Sequence, residues 1–267
     1  MPMTVTMGIK RYLHGSFEDI DDAVAIEHRA NILVNGEHYI TLMCSPNLFE
    51  ELAVGFLFSE GVISAYSDIR RIDSTCTGYV MVELRSAPKV AGAGKRVLVS
   101  GCAGGSVNLS FLNRENLGEM SGRVSLDAEE LCRMMAGFSR RSPLFEQTGG
   151  VHSCALEFPG GEGLFCEDIA RHNAIDKIVG TALIRGIDIG SGLLVASGRV
   201  SSEILLKTAR LGISMLVSRS APTEMAVEIA RKINMTLVGF ARGGKFNVYS
   251  GAFRITGDSV PGPELSL

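Results

Sequence analysis

No apolar run in this chain approaches the roughly 20 residues a membrane-spanning helix needs; the longest is Leu52–Phe58. The opening "MPMTVTMGIKRYLHG" lacks a basic segment followed by an apolar core, so a cytoplasmic protein is expected. An excess of one charge is also missing. With Lys+Arg 26 against Asp+Glu 29 and a net charge of −3, nothing favours nucleic acid or an anionic membrane, and the expected partner is small or a protein. There is no C-x-x-C pair. Cys44, Cys76, Cys102, Cys132, Cys154 and Cys166 are irregularly spaced and read as free thiols in a reducing compartment. Internal repeats, low-complexity tracts and heptads are absent too, as are a P-loop and a G-x-S-x-G serine motif. What remains is ordinary globular composition, 267 residues that are 46% hydrophobic and 21% charged with 31 glycines. That suits one large or two modest domains.

The first part reads as antiparallel sheet. Between Ala23 and Leu42, "ILVNGEHYITL" places Asn35-Gly36 where a two-residue hairpin takes positive φ at both central positions. Ser45-Pro46 then predicts a helix start, running through Leu48, Leu52, Phe56 and Leu57 to a stop at Gly61. Strands are expected at Tyr79–Leu84 and Arg96–Val99. The polar, glycine-containing Leu117–Ser125 suggests a domain boundary near residue 122. Beyond it, Asp127-x-x-Glu130 has capping-box spacing ahead of the stripe Leu131, Met134, Met135 and Phe138. Cys132 in this amphipathic helix reads as a small hydrophobe. The last third alternates strands at Leu193–Ala196, Ile213–Val217 and Thr236–Phe240 with helices at Ser202–Leu211 and Pro222–Ile233, then adds a strand at Phe246–Tyr249. Such alternation predicts parallel βαβ crossovers. The fold class is α/β (α+β overall), a smaller β-rich domain over 1–122 followed by an α/β layered domain over 123–267.

Ligands of parallel sheets gather outside the carboxyl ends of the strands. Three such ends carry small residues beside a cation: Ser197, Gly198 and Arg199; Ser218, Arg219 and Ser220; and Phe240, Ala241, Arg242, Gly243, Gly244 and Lys245. One such loop could merely turn the chain, but three coinciding describe an anion pocket, best matched by nucleotide phosphate. Asp168, His172 and Asp176 follow at i, i+4 steps, so a helix there puts all three on one face, either solvated or lining a cleft. His152 and Cys154 are zinc-ligand types. A zinc deaminase, however, needs H-x-E and P-C-x-x-C; Cys154 stands where the glutamate belongs and no second motif follows, so no zinc site is expected. Cys102, in "VLVSGCAGGSV", sits among Gly101, Gly104 and Gly105, whose N–H groups could turn toward a thiolate in a loop able to move between two partners; an inert turn cysteine is the alternative.

The segments "LAVGFLFSEGVI", "TGGVHSCAL", "EDIARHNAIDKIVG", "SGRVSSEILLKTARLGI", "SAPTEMAVEIA" and "LVGFARGGKFNVYS" together resemble the FdhD/NarQ family of formate dehydrogenase accessory sulfurtransferases along nearly the whole chain. The resemblance implies a cytidine-deaminase-like second domain. It also implies transfer of sulfur, as a persulfide, from a cysteine desulfurase to the molybdenum or tungsten of the bis-guanine-dinucleotide (bis-MGD) cofactor before insertion into formate dehydrogenase, often by a homodimer. On this resemblance Cys102 matches the persulfide cysteine, and Phe240–Lys245 match the cofactor-binding loop; the strand-end reading adds Arg199 and Arg219 as further phosphate contacts. One departure stands out: where the family has C-x-x-C, this loop reads Cys102-Ala-Gly-Gly105 and offers one thiol. A rival reading follows from it, a chaperone that binds the cofactor without sulfur chemistry.

Overall fold

The computed structural model describes residues 1–86, 118–122 and 124–257, together with the backbone of 96–98 and 106–108. The chain opens with a two-stranded ribbon, β1 (Thr4–Leu13) and β2 (Ser16–Ala25), which the sequence reading missed. Next come β3 (His28–Val34) and β4 (Glu37–Cys44). Their turn is the expected one: Asn35 and Gly36 take φ of 52° and 86°. Helix α1 (Phe49–Ser59) follows, then β5 (Ile69–Ser74) and β6 (Tyr79–Leu84). The sheet order β4-β3-β6-β5 presents Ala30, Ile32, Val34, Val80 and Val82 to Leu52, Ala53 and Leu57 of α1.

Helix α1 begins later than expected. Ser45 does not cap it; its hydroxyl accepts from the Ile169 N–H (3.1 Å), and Leu48, in the left-handed conformation, precedes the first turn. The helix ends as Gly61 predicts, at φ 74°.

Short strands β7 (Arg96–Leu98) and β8 (Ser106–Asn108) pair antiparallel, with Leu98 opposite Ser106. Cys102 falls between them in sequence and lies outside the described residues.

The second half contains β9 (Leu126–Asp127), α2 (Ala128–Ser139), α3 (Pro143–Thr148), β10 (His152–Glu157), β11 (Leu164–Asp168) and α4 (Arg171–Arg185). It continues with β12 (Leu193–Ala196), α5 (Ser202–Arg210), β13 (Met215–Ser218), α6 (Glu224–Lys232), β14 (Thr236–Arg242), β15 (Lys245–Ser250) and β16 (Ile255–Thr256). Asp127 caps α2, accepting from the N–H groups of Glu129 and Glu130. The central sheet runs β11-β10-β12-β13-β14-β15. Strands β12, β13 and β14 are parallel, as the βαβ pattern requires, while β10, β11 and β15 pair antiparallel. Alternation along the strands builds a core on each face. Leu194, Leu216 and Leu237 meet α4, α5 and α6; Val195, Val217 and Val238 meet α2.

Helices α1 and α4 join the two halves by close approach. A Cβ on Gly55 would overlap the Asp176 carbonyl, and one on Gly180 the Glu51 carbonyl, so only glycine permits this spacing. Among the described residues no helix is long and apolar enough to cross a membrane.

Candidate functional site

Because β10 runs antiparallel to β12, its first residues lie beside the carboxyl end of that strand. Ser197 just past β12 then ties the two together: its N–H donates to Ser153 O (3.0 Å), and its hydroxyl accepts from the Ser153 N–H (2.9 Å). The same hydroxyl lies 3.4 Å from His152 Nδ1. Burial and the nearby Arg171 charge push the His152 pKa down, so the ring is neutral at pH 7.

The loops after β12 and β13 hold each other. Ser218 donates to Gly198 O (2.7 Å) and accepts from the Ser220 N–H (3.0 Å), while the Arg219 N–H donates to Ala196 O (3.0 Å). After β14 the chain makes a tight hairpin. Arg242 pairs with Lys245, and Gly243 and Gly244 between them take φ of 60° and 72°, the turn in which both central residues need positive φ. Phe240 also has positive φ, 52°, at an irregularity in the ladder, and its N–H donates to Ser220 O (3.0 Å).

These three strand ends enclose a cleft of about 450 Å³. Arg219 and Arg242 supply positive charge, His152 stands on the floor, and Phe138, Phe145 and Phe240 provide aromatic walls. Among the described residues no carboxylate lines it. A second lobe of about 260 Å³ lies between α2 and the hairpin; it shares Ser139, Arg219 and Arg242 with the first and adds Lys245, Ala241, Gly243 and Gly244. The chemistry is that of an anion-binding cleft with flat apolar surfaces, suited to a phosphorylated base.

Residues 25–256 match the FdhD/NarQ family. The chain belongs to that family. It is 41% identical over 254 residues to the sulfur carrier protein FdhD of Listeria monocytogenes serotype 4b, covering 93% of this chain and 97% of the relative. It is 37% identical over 257 residues to the sulfur carrier protein FdhD of Bacillus subtilis, covering 95% and 98%. A crystal structure from Desulfotalea psychrophila, of a protein assigned as a formate dehydrogenase accessory protein, matches with a TM-score of 0.80 at 27% identity, covering 96% of this chain and all of that one.

In this FdhD/NarQ chain, Phe240, Ala241, Arg242, Gly243, Gly244, Lys245 and Arg219 come together around the two lobes. Arg199 is exposed and lines neither. Asp168, His172 and Asp176 do not share a helix face. Asp168 ends β11, before α4 begins. Its fully buried carboxylate pairs with Lys177 (2.6 Å) and accepts from Ser45 N–H, Ala170 N–H and Asn173 Nδ2. Asp176 is equally internal, held by Lys207 (2.7 Å) and Ser59 (2.8 Å). His172 faces Glu203 at 3.6 Å, and burial, with Lys207 and Arg171 nearby, pushes its pKa down to about 3. Asp168 and Asp176 tie the two halves together, His172 packs against α5, and none of the three lines the cleft.

Sequence reasoning named one wall, Phe240, and missed the other two. Phe138 was visible only as the last member of the apolar stripe of α2, Phe145 had no signal, and His152 was weighed as a zinc ligand. The thiol beside that histidine in the motif, Cys154, is fully buried in the core, and desolvation raises its pKa well above the usual thiol value.

Proposed function

We propose that this chain is a sulfur carrier for formate dehydrogenase. It accepts sulfur on Cys102 from a cysteine desulfurase and delivers it to the metal of the bis-MGD substrate held over the strand ends, acting as a homodimer in the cytoplasm. The names of its relatives support the sulfur-carrier and accessory roles. The observation that carries the substrate reading is the cleft itself: two arginines on converging strand ends, three phenyl rings and no lining carboxylate among the described residues. Phosphates meet Arg219, Arg242 and Lys245, and a guanine lies against an aromatic wall. Arg199, exposed beside Gly198, addresses the part of this large substrate that extends past the lobes. The mixed sheet of the second half, packed between helices on both faces, fits this use of the strand ends.

In the loading step, the Cys102 thiolate attacks the outer sulfur of the desulfurase persulfide; the new S–S bond forms on Cys102 and the desulfurase thiolate leaves. Release has no second loop thiol to draw on, because the sequence reads Cys102-Ala-Gly-Gly105. It therefore falls to direct attack by the acceptor or to an external thiol reductant, which takes up the oxidising equivalent.

Peptide mass measurement after incubation with cysteine and an active desulfurase tests the reading. One sulfur atom should be gained on the Cys102 peptide and lost on treatment with a reducing thiol. No gain while the desulfurase turns over would exclude the carrier function and leave a cofactor-binding chaperone.

A further inference from the structure

Two buried hydroxyls line the first lobe of the cleft. Ser142 is 5% and Ser153 6% exposed, yet both open onto the lobe, and their oxygens lie 2.8 Å apart. Ser142 stands immediately before α3 without capping it; its hydroxyl donates instead to Glu167 Oε1. Glu167 is the ladder partner of Ser153 on β11 and does not itself line the lobe.

The direction of this chain is fixed. A carboxylate only accepts, and a serine hydroxyl has one hydrogen. The Ser142 hydrogen goes to Glu167, so between the two serines Ser153 donates and Ser142 accepts. Glu167 Oε1 also accepts from the Phe145 N–H (3.2 Å), a backbone donor that cannot reverse its role. Both hydroxyl hydrogens are thus spent along the chain that ends on Glu167. The Ser142 and Ser153 oxygens keep lone pairs that no other group among the described residues engages. The lobe is therefore offered two adjacent acceptors and no hydrogen from either serine.

We propose that Ser142 and Ser153 read the edge of the bound base that carries a ring N–H beside an exocyclic amino group, with Glu167 as their positioning residue. The assignment rests on the cofactor reading of the cleft and adds what selects the base. Guanine presents these two donors side by side. Adenine puts a ring lone pair where guanine has the N–H, and a lone pair facing an acceptor repels. A pterin ring carries the same two donors as guanine, so both sources share this chemistry. The arrangement also resolves a conflict within the cleft. A carboxylate in the wall would offer two acceptors as well, but it would repel the phosphates that Arg219 and Arg242 are placed to hold. Neutral hydroxyls, oriented by a carboxylate behind them, accept without that repulsion.

Calorimetry on the full-length protein with guanosine, inosine and adenosine diphosphates, and with hydroxymethylpterin, tests the assignment. The wild type should bind guanosine diphosphate at least tenfold tighter than adenosine diphosphate. Ser142→Ala and Ser153→Ala should each narrow that preference about tenfold, the size of one lost hydrogen bond. Adenosine diphosphate affinity should stay unchanged, which controls for folding. Inosine diphosphate lacks the amino group, so it should match guanosine diphosphate in the one variant whose missing oxygen meets that group. Glu167→Ala should narrow the preference as the serine variants do, and Glu167→Gln, whose carbonyl oxygen can take the Oε1 position, should retain it.

A guanosine preference that survives in Ser142→Ala or Ser153→Ala would overturn the assignment. So would an equal loss of all three diphosphates in the variants, which reports a loosened cleft. Equal binding of the three diphosphates by the wild type, with pterin binding weakened tenfold by the same variants, upholds the assignment with the pterin as occupant; pterin binding indifferent to them overturns it. A folded wild type that binds neither nucleotide nor pterin would sink the cofactor reading itself, a result distinct from nucleotide bound without preference.

Discussion

Replacing Lys177 by methionine separates a structural Asp168 from a ligand-binding one. Lys177 Nζ lies 2.6 Å from Asp168 Oδ2, with both side chains fully buried, and also donates to Asn47 Oδ1 (2.7 Å) and Ser45 O (3.2 Å). Methionine keeps the length and the apolar stem but removes the charge and the donors. Asp168 would keep its hydrogen bonds from Ser45 N–H, Ala170 N–H and Asn173 Nδ2, yet its negative charge would lose the cation in contact with it, far from water. Breaking a buried pair from one side costs about 3–5 kcal/mol. At about 2–4 °C per kcal/mol for a chain of this size, the melting temperature should fall by about 10 °C. Urea unfolding measures the loss directly, and the Asp168→Asn/Lys177→Met double variant should recover part of it, because no unpaired charge remains. A loss below about 1 kcal/mol, the range of solvent-exposed pairs, would refute the buried-network argument. So would a tenfold fall in guanosine diphosphate affinity in folded Lys177→Met protein, since Asp168 does not line the cleft.

The cleft predicts that Arg242→Ala and Lys245→Ala each weaken guanosine diphosphate binding about tenfold or more, the value of one charge-assisted hydrogen bond. By calorimetry Cys102→Ser and Arg199→Ala should bind as wild type, and an equal loss in all four would report a collapsed fold instead of a mapped site. His172 sets a pH dependence. Its folded pKa is pushed down to about 3 from an unfolded value of about 6.5, so below pH 6.5 the unfolded chain binds a proton that the native chain refuses, and stability is lost on acidification. The difference in unfolding free energy between wild type and His172→Gln should therefore move against the wild type by up to about 1.4 kcal/mol per pH unit between pH 6.5 and 4; a pH-independent difference would show that the imidazole titrates normally.

The legible parts of the fold were those whose signals are local. The βαβ run from β12 to β14 declares itself by alternating apolar strands and amphipathic helices, Asp127 by its capping position, and Asn35-Gly36 by its turn chemistry. The errors came from contacts far apart in sequence. Ser45-Pro46 has the form of a helix start, but the Ser45 hydroxyl is claimed by Ile169, 124 residues away, and the helix waits for Phe49. Asp168 has helical spacing to His172, yet it closes the edge strand β11, whose ladder with β10 puts it opposite His152. Strands β5, "IRRIDS", and β2, "SFEDIDDAVA", carry too many charges for a clear period-two pattern. The cation loops, Phe240 with them, were readable because they follow strands; the walls formed by Phe138 and Phe145 were not, because α2 and α3 reach the cleft only through tertiary packing.

Burial also bears on which thiol can carry sulfur. The nucleophile is the thiolate, and desolvation pushes the Cys44 pKa up to about 12 and that of Cys166 to about 11, while Cys154, fully enclosed, is raised further from its usual range. At neutral pH burial therefore keeps these thiols protonated, and all three are buried. The two remaining described cysteines, exposed Cys76 and half-buried Cys132, lack that protection. A desulfurase therefore finds three thiols already silenced, and selection has to be made only among Cys76, Cys132 and Cys102. Of these, Cys102 alone has a glycine immediately before it and glycines two and three positions after it, at Gly101, Gly104 and Gly105. That glycine-rich sequence, together with the match to the family's persulfide cysteine, is why the proposed reading rests on Cys102 even though the second cysteine of the family motif is replaced.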